Sequence, residues 1–276
     1  MYDGMLVGVV IPARNEANHL PGVLATIPGF VDKVVVVDDG STDGTGSIVA
    51  NADLVTLSGE GVGAAIDKGH QHLISVFDDE FVSVVIAGDG QMDPADMKNL
   101  ISPVVEGKVH HVKGERLDRA GKMPIYRRFG TFLLSILTTL ACGQPISDPQ
   151  CGYTATSSKV LRKWDWKRSW KGYGYPNWWL MHLAENGWRI AHVPVRAIYD
   201  GQKSGIKVHT FLPRVSLMLL VGLHMRIIRN TLKNPSIILL FTWAIYMAGW
   251  IYSPVMFVVA HYWDRIHVRT ILRDVE

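Results

Sequence analysis

Hydrophobic and polar positions alternate in two kinds of block along the first two thirds of the chain. Short runs rich in Val and Ile, namely MLVGVVIP, KVVVVDD and FVSVVIAGD, predict strands. Between them, helical patterns begin near Asn18, at STDGTGSIVANA, after a Gly-rich turn and at PADMKNLISPVVEG. The continuous apolar run Val34–Val37 indicates a strand covered on both faces. We therefore predict a βαβ series over residues 5–113, within one α/β domain of residues 1–206.

Residues 207–233 carry apolar residues at helical spacing, with arginines interspersed among them. The pattern predicts an amphipathic helix that buries one apolar stripe in a membrane interface and meets anionic lipid with its basic residues. An ordinary helix that packs in the core is the alternative. The predicted stripe consists of Phe211, Leu212, Val215, Leu219, Leu223, Ile227 and Ile228.

Residues 234–263 run for thirty positions without Asp, Glu, Lys or Arg, and about 20 apolar residues cross a bilayer core. This predicts a membrane segment, followed by a polar tail at 264–276. Gly249 and Pro254 interrupt its middle, so a single span and a re-entrant hairpin both fit. A buried helix pair of a soluble protein is the third possibility.

The composition of the 276 residues excludes several classes of protein. Hydrophobic residues make up 48% and charged residues 19%, which excludes a disordered chain, and the net charge of +3 is too small to indicate nucleic-acid binding. Cys142 and Cys151 are the two cysteines, and their spacing predicts neither a disulfide framework nor a zinc site. The first residues lack a basic start followed by an apolar run, so we expect no secretory signal and a reducing cytosolic setting.

Polar residues follow three of the predicted strands: Arg14-Asn15-Glu16, then Asp38-Asp39, then Asp89-Gly90-Gln91. Ligands of parallel sheets bind at the carboxyl ends of the strands. Carboxylates there can accept hydrogens of a nucleoside or hold a divalent cation on a diphosphate, so the pattern indicates a nucleotide substrate. PARNE occupies the turn where a dinucleotide fingerprint would require glycines, which excludes a nicotinamide dehydrogenase. The later GEGVG sequence is interpreted as a tight turn into a helix.

Five motifs together carry a family resemblance that covers roughly residues 5–205. They are IPARNE (11–16), VVVVDDGSTDGT (34–45), GVGAAIDKG (61–69), GDGQMDP (88–94) and DPQCGY (148–153). The set resembles family 2 glycosyltransferases, and within them dolichol-phosphate mannose synthases and other polyprenyl-phosphate sugar synthases. The resemblance implies a GT-A fold with a mixed sheet, a GDP- or UDP-sugar donor, Mg²⁺ or Mn²⁺, and inversion at the anomeric carbon. It also implies a polyprenyl or dolichyl phosphate acceptor at a membrane, with the catalytic domain on the cytoplasmic face and a hexose, mannose or glucose, transferred.

The resemblance also assigns roles to residues at matching positions. Asp89 and Gln91 match the metal ligands, while Ala87 stands where the family usually has a first Asp. Asp89, Arg116 and Asp148 are the candidate catalytic residues. Nucleotide-sugar binding is assigned to Pro12, Arg14, Glu16, Asp38, Asp39 and Lys203. Acceptor-phosphate binding is assigned to Arg116, Arg127, Arg128 and Ser135.

Asp148 occupies the position of the candidate base of an inverting enzyme. A phosphate monoester is already anionic at neutral pH, since its second pKa is about 6, so no proton need be removed. We therefore expect Asp148 to orient the acceptor or support the site. Two other functions remain open: a family 2 transferase acting on a glycan or other acceptor, and a silent nucleotide-binding scaffold suggested by Ala87.

Overall fold

The computed structural model describes residues 1–116, 125–198 and 208–233, with six further residues between 237 and 248. One seven-stranded sheet runs in the order β3-β2-β1-β4-β6-β5-β7. The strands are β1 (Leu6–Ala13), β2 (Lys33–Asp39), β3 (Asp53–Leu57), β4 (Phe81–Val85), β5 (His111–Arg116), β6 (Thr154–Ser157) and β7 (Ile190–Val195). The helices are α1 (Leu20–Ala25), α2 (Val62–Val76), α3 (Met97–Val105), α4 (Ile125–Cys142), α5 (Ser158–Leu161), α6 (Tyr175–Glu185) and α7 (Val208–Lys233).

The sheet is mixed, because β6 runs antiparallel to both of its neighbours, β4 and β5. The other pairs are parallel. This confirms the predicted mixed α/β sheet, and the three runs read from the sequence form β1, β2 and β4. The carboxyl ends of these three strands meet at one edge, as a parallel arrangement requires.

Both faces of the sheet are covered by helices. Val9 and Ile11 of β1 pack with Leu100 of α3 on one face. Val10 of β1 packs with Ile66 of α2 on the other face, in a cluster that also contains Trp179 of α6. Successive side chains of a strand point to opposite faces, so the continuous apolar runs have the double burial predicted for them.

The helix predicted in STDGTGSIVANA is wrong, because this segment forms only a 3₁₀ turn at Thr45–Ile48. Asp43 and Thr45 hydrogen-bond to each other and to backbone amides of the β1 loop. Such side-chain bonds to the backbone compete with helix formation. Gly44, with a φ of 86°, adds a left-handed position just before the turn. The segment therefore joins two loops instead of forming a crossover helix.

The apolar stripe assigned to a membrane interface lies mostly inside the protein, which corrects the prediction for α7. Val215, Leu219 and Leu223 are buried against Leu134 of α4 and Leu180 of α6. The alternative of a core-packing helix therefore holds for this stripe. Solvent-exposed positions of α7 carry a second apolar set, namely Leu217, Val221 and Met225, which are 63%, 53% and 44% exposed.

Among the residues that the structure describes, no helix combines the length and the apolar character needed to cross a bilayer. The predicted membrane segment at 234–263 and the tail at 264–276 lie outside the described residues, apart from the six noted above.

Candidate active site

The loops after β1 and β2 are tied together by side chains that bond to backbone amides. Asn15 adopts a left-handed φ of 58°, and its side-chain oxygen accepts a hydrogen bond from the Thr42 amide at 2.8 Å. The Ser41 hydroxyl accepts from the Asn15 amide at 2.9 Å, and the Thr45 hydroxyl accepts from the Glu16 amide at 2.8 Å. Asn tolerates this conformation better than most residues. The two strand ends are thereby held at a fixed separation.

Asp38 and Asp39 are both buried at the end of β2, and each holds a different loop. Asp38 accepts from the Ser41 amide at 2.9 Å, within its own turn. Asp39 accepts from the amides of Glu60 and Gly61 at 2.6 and 2.8 Å. Asp39 therefore fixes the Gly-rich loop that precedes α2. Gly61 directly precedes the helix, which confirms a tight turn into a helix.

Pro12 and Arg14 connect the loop after β1 to two neighbouring segments, the end of β4 and the Gly-rich loop. The Pro12 carbonyl accepts from the Gly88 amide at 3.2 Å, beyond the end of β4. The exposed Arg14 guanidinium lies beside Gly59, where a Cβ would stand 3.7 Å from one of its nitrogens. The structure thus gathers Pro12, Arg14, Glu16, Asp38 and Asp39 at one edge of the sheet. Their roles toward a nucleotide stay predictions.

Asp89, just beyond β4, faces the β1 loop. Its carboxylate accepts from the Gln91 amide at 3.0 Å, and burial raises the pKa of Asp89, an effect that the nearby His19 partly opposes. Burial also raises the pKa of Glu16, and the charge of Asp89 adds to that shift. Glu16 itself bonds to the His19 ring at 2.9 Å. Negative charge is therefore concentrated between the ends of β1 and β4.

The donor chemistry of Asp89 and Gln91 is compatible with a divalent cation, and their role as metal ligands stays a prediction. No group of three or more His, Cys, Asp or Glu side chains suited to a metal occurs among the described residues. Asp93 is occupied by an ion pair with Arg196 at 3.0 Å. Mg²⁺ is commonly held by one or two protein carboxylates, with substrate phosphates and water completing its shell. The Asp89 carboxylate and the Gln91 amide oxygen match that partial donor set, and Ala87 contributes no ligand.

Arg116 and Asp148 form a two-pronged ion pair at the end of β5. The Arg116 Nε and a terminal nitrogen donate to the two carboxylate oxygens of Asp148 at 2.8 and 2.9 Å. Asp148 is fully buried, whereas the Arg116 side chain keeps 22% of its surface exposed. Such bidentate, charge-assisted bonds fix the orientation of the guanidinium. The geometry supports a positioning role for Asp148 and leaves part of Arg116 accessible to an anion.

Helices α4 and α6 hold the chain on either side of Asp148. The Ser135 hydroxyl donates to the backbone carbonyls of Ile146 and Ser147. The Gln150 side chain donates to Asn177 at 2.5 Å, and Asn177 donates in turn to Thr138 at 2.7 Å. These bonds give Ser135 a structural role, and its contact with an acceptor phosphate stays a prediction.

Arg127 and Arg128 lie in the first turn of α4, but their side chains are outside the described part of the structure, and so is Lys203. Two other residues were not identified from the sequence. Lys113, in the strand sequence HVKGER, is fully buried beside Asp148. Asp67, in the helix after the Gly-rich loop, is 1% exposed. The sequence signal that could have identified both residues is a charged residue at a position of a strand or helix that is expected to face the core.

Asp67 connects the segment 169–171 to the start of α2 through two hydrogen bonds, a contact that we call the latch. Its carboxylate accepts from the Ser169 hydroxyl at 2.8 Å and from the Lys171 ammonium at 2.9 Å. The Lys171 carbonyl accepts from the Gly63 amide at 2.8 Å, so the contact continues through the backbone. Burial raises the pKa of Asp67.

We expect Asp67→Ala to lower the free energy of unfolding by about 1–3 kcal/mol, because the buried Ser169 hydroxyl loses its acceptor. Urea denaturation monitored by tryptophan fluorescence measures the change. Asp79→Ala, at an exposed position, is the matched control and should leave the midpoint unchanged. Equal midpoints for the two variants would show that the latch contributes nothing.

The family model "Glycosyl transferase family 2" matches residues 8–165, and the chain belongs to that family. It is therefore a glycosyltransferase, which favours an enzyme over a silent scaffold.

Two curated relatives align over most of the chain. The UDP-N-acetylglucosamine–dolichyl-phosphate N-acetylglucosaminyltransferase of Methanococcus voltae is 27% identical over 218 residues, which are 70% of this chain and 86% of that protein. The undecaprenyl-phosphate mannosyltransferase of Micrococcus luteus is 30% identical over 219 residues, which are 73% of this chain and 88% of that protein.

Solved structures with the same fold include glucosyl-3-phosphoglycerate synthase of Mycobacterium tuberculosis in complex with Mn²⁺, UDP and phosphoglyceric acid. It superposes with a TM-score of 0.58 at 23% identity, covering 81% of this chain and 78% of that chain. A complex of the same enzyme with Mg²⁺ and UDP also has a TM-score of 0.58. At this identity the likeness establishes the GT-A-like fold.

Proposed function

We propose that this enzyme transfers a hexose, mannose or glucose, from a GDP- or UDP-sugar to polyprenyl or dolichyl phosphate at the cytoplasmic face of a membrane. The observation that carries the proposal is the Arg116–Asp148 pair at the same sheet edge as Asp89, in a protein whose α7 exposes apolar side chains. The two named relatives act on dolichyl phosphate and undecaprenyl phosphate, which supports the same class of acceptor.

In the proposed reaction, an oxygen of the lipid phosphate attacks the anomeric carbon from the side opposite the leaving group. A new carbon–oxygen bond forms while the bond to the nucleoside diphosphate breaks, so the configuration inverts. Because the attacking phosphate is already anionic, the protein supplies placement and charge neutralisation instead of a base. Asp89 and Gln91 would hold a divalent cation, and this cation would neutralise the charge of the departing diphosphate. Arg116, oriented by Asp148, offers its guanidinium to phosphate oxygens.

Exposed apolar side chains on α4 and α7 support the membrane location. Leu217, Val221 and Met225 follow each other at four-residue intervals along α7, and Phe132 and Ile136 do the same on α4. That spacing places each set on one helix face. The two helices share a core cluster, so both apolar sets belong to one helical layer. Exposed apolar surface of this kind is typical of membrane contact.

A cavity of about 380 Å³ lies between α6 and α7, and its lining is mainly apolar. Gly222 permits this close packing, because a Cβ there would overlap the Met181 sulfur. Trp178 and Met218 contribute to the walls, and Arg214 lies at the same cavity. Its size and lining suit a hydrocarbon chain, so we propose that part of the prenyl chain enters it.

We expect Val221→Trp to raise the KM for a long-chain polyprenyl phosphate by about tenfold, or about 1.4 kcal/mol, because the indole would occupy space that the prenyl chain needs. The KM for a two-unit prenyl phosphate, too short to occupy the cavity, should stay unchanged. Leu232→Trp, at an exposed position of the same helix, is the control. An equal change in KM for the long and the short acceptor would show that the prenyl chain does not enter the cavity.

The direct test incubates the protein in detergent with labelled GDP-mannose, UDP-glucose or UDP-N-acetylglucosamine, together with polyprenyl phosphate and Mg²⁺ or Mn²⁺. Labelled product should enter the organic phase with one donor and should be absent after metal chelation. Transfer of label to an added glycan, with none to the lipid, would support a glycan acceptor. Absence of transfer with every donor would refute the proposal.

A further inference from the structure

Lys113 is a fully buried lysine on the second strand from one edge of the sheet. It lies on β5, and its ammonium donates a hydrogen bond to the Cys151 carbonyl. Lysine is almost never fully buried unless it is paired with an acid, and here the bond goes to a backbone oxygen. Placing a cation in such a site costs free energy, so the position calls for a functional explanation.

Lys113 and Arg116 hold the two ends of the same turn. The turn runs from Asp148 to Cys151 and is closed by a bond from the Cys151 amide to the Asp148 carbonyl at 3.4 Å. Lys113 bonds to the Cys151 end, and Arg116 bonds to the Asp148 carboxylate at the other end. Both cations come from β5, three residues apart. The turn can therefore shift only if one of these contacts is lost.

Charges do not cancel within this group. Among these three side chains, Lys113 and Arg116 each contribute a positive charge and Asp148 contributes a negative one. Asp148 and Arg116 are close enough to affect the Lys113 pKa. Fixed positive charge in a buried site stabilises an anion far more than the same charge in water.

We propose that Lys113 is a positioning residue for glycosyl transfer: its charge holds the Asp148–Cys151 turn and, through Asp148, fixes the Arg116 guanidinium for phosphate binding. This inference rests on glycosyl transfer from a nucleotide sugar and does not depend on the identity of the acceptor.

The pH dependence of this arrangement has a definite direction. Burial lowers the pKa of Lys113 to about 8, and the negative charge of Asp148 opposes the shift. The ammonium is present below that pH and is lost above it. Activity should therefore decline as the pH rises through about 8.

Burial shifts the pKa values of the neighbouring His, Cys and Tyr side chains away from pH 8. Burial lowers the pKa of His70 to about 3 and lowers those of His111 and His192 below their usual value. Burial raises the pKa of the Cys151 thiol and of the Tyr175 hydroxyl. The titratable and charged groups near Lys113 come from five elements. They are His111 and Arg116 of β5, Asp148 and Cys151 of the turn, His70 of α2, Tyr175 of α6 and His192 of β7.

Stability should change in the opposite direction from activity. The pKa of Lys113 is lower in the folded chain than in the unfolded chain, so between about pH 8 and 10 the unfolded state binds more protons. The contribution of Lys113 to the free energy of unfolding therefore rises with pH over this range. A lysine with a merely structural role would not combine a gain in stability with a loss of activity.

The test compares wild type, Lys113→Met and the exposed control Lys159→Met between pH 6.5 and 9.5. We expect Lys113→Met to lower kcat by about 10²-fold, as small misplacements of a site do, with a higher KM for the nucleotide-sugar donor and an equal or higher melting temperature. Its kcat should no longer fall near pH 8. Lys159→Met should match wild type throughout. A wild-type profile that is flat through pH 8, or a kcat loss that only follows a lower melting temperature, would overturn the proposal.

A second measurement separates this inference from the proposed acceptor. Calorimetric titration with UDP and Mg²⁺ needs no acceptor, and the UDP affinity of wild type should fall above pH 8. Lys113→Met should bind UDP weakly at every pH in the range. If UDP binding behaves in this way while no polyprenyl phosphate is glycosylated, the proposed function fails and the role of Lys113 stands. UDP affinity that is independent of pH in wild type would refute the role of Lys113, whether or not the variant folds.

Discussion

Asp89→Ala should reduce kcat/KM by about 10³-fold at saturating Mg²⁺. Removing one preorganised electrostatic contact to a developing charge typically costs 10²–10³-fold, and Asp89 is the carboxylate proposed to hold a cation on the diphosphate. Asp148→Asn should cost less, because it keeps the shape of the side chain that orients Arg116. The measurement is initial-rate kinetics with one donor at several concentrations of Mg²⁺ and Mn²⁺.

Asp93→Asn is the matched control, since Asp93 lies four residues away and is ion-paired with Arg196. It should retain most of the wild-type kcat/KM. Equal losses for Asp89→Ala and Asp148→Asn at saturating metal would refute this ranking. A full activity for Asp89→Ala in the presence of chelator would exclude Asp89 as a metal ligand.

Arg116→Met should destabilise the fold and abolish transfer together. The substitution leaves the fully buried Asp148 carboxylate without its bidentate partner, and breaking a buried ion pair from one side costs about 3–5 kcal/mol. We expect the free energy of unfolding to fall by that order, measured by urea denaturation at pH 7. The double variant Arg116→Met with Asp148→Leu should recover most of this loss, because no uncompensated charge remains buried.

The double variant separates stability from function. It should fold nearly as well as wild type and still fail to transfer sugar, because the guanidinium is absent. A double variant that regained activity would show that Arg116 only supports the fold. A single Arg116→Met variant with wild-type stability would show that Asp148 finds another partner.

The sequence allowed β1, β2 and β4 to be predicted, because their runs are rich in Val and Ile and are followed by polar residues. β5 was harder to recognise, since its sequence HVKGER contains charged residues that only the folded sheet encloses. The helix predicted at α7 is present, but the apolar stripe that was assigned to the membrane packs in the core. The prediction failed because apolar residues lie on both the buried and the exposed sides of α7. Periodicity identifies a helix and does not say what covers each face.

The candidate site shows the same limit for non-local contacts. Arg116 and Asp148 were each identified by motif, but their pairing joins residues 32 positions apart, and no local pattern encodes it. The bond from Asp39 to the Gly-rich loop likewise joins separate motifs. Lys113 was overlooked because its importance comes from burial and from the turn that it contacts.

The reversed direction of β6 determines where Asp148 can act. Thr154, the first residue of β6, pairs with Val85, the last residue of β4, and with Lys113 of β5. A β6 that ran parallel to its neighbours would carry the preceding turn to the far edge of the sheet, away from Asp89 and Arg116. Asp148 precedes its strand, whereas Asp89 and Arg116 lie at the carboxyl ends of theirs. The antiparallel β6 therefore brings a loop that precedes a strand to the sheet edge where the other site loops follow strands.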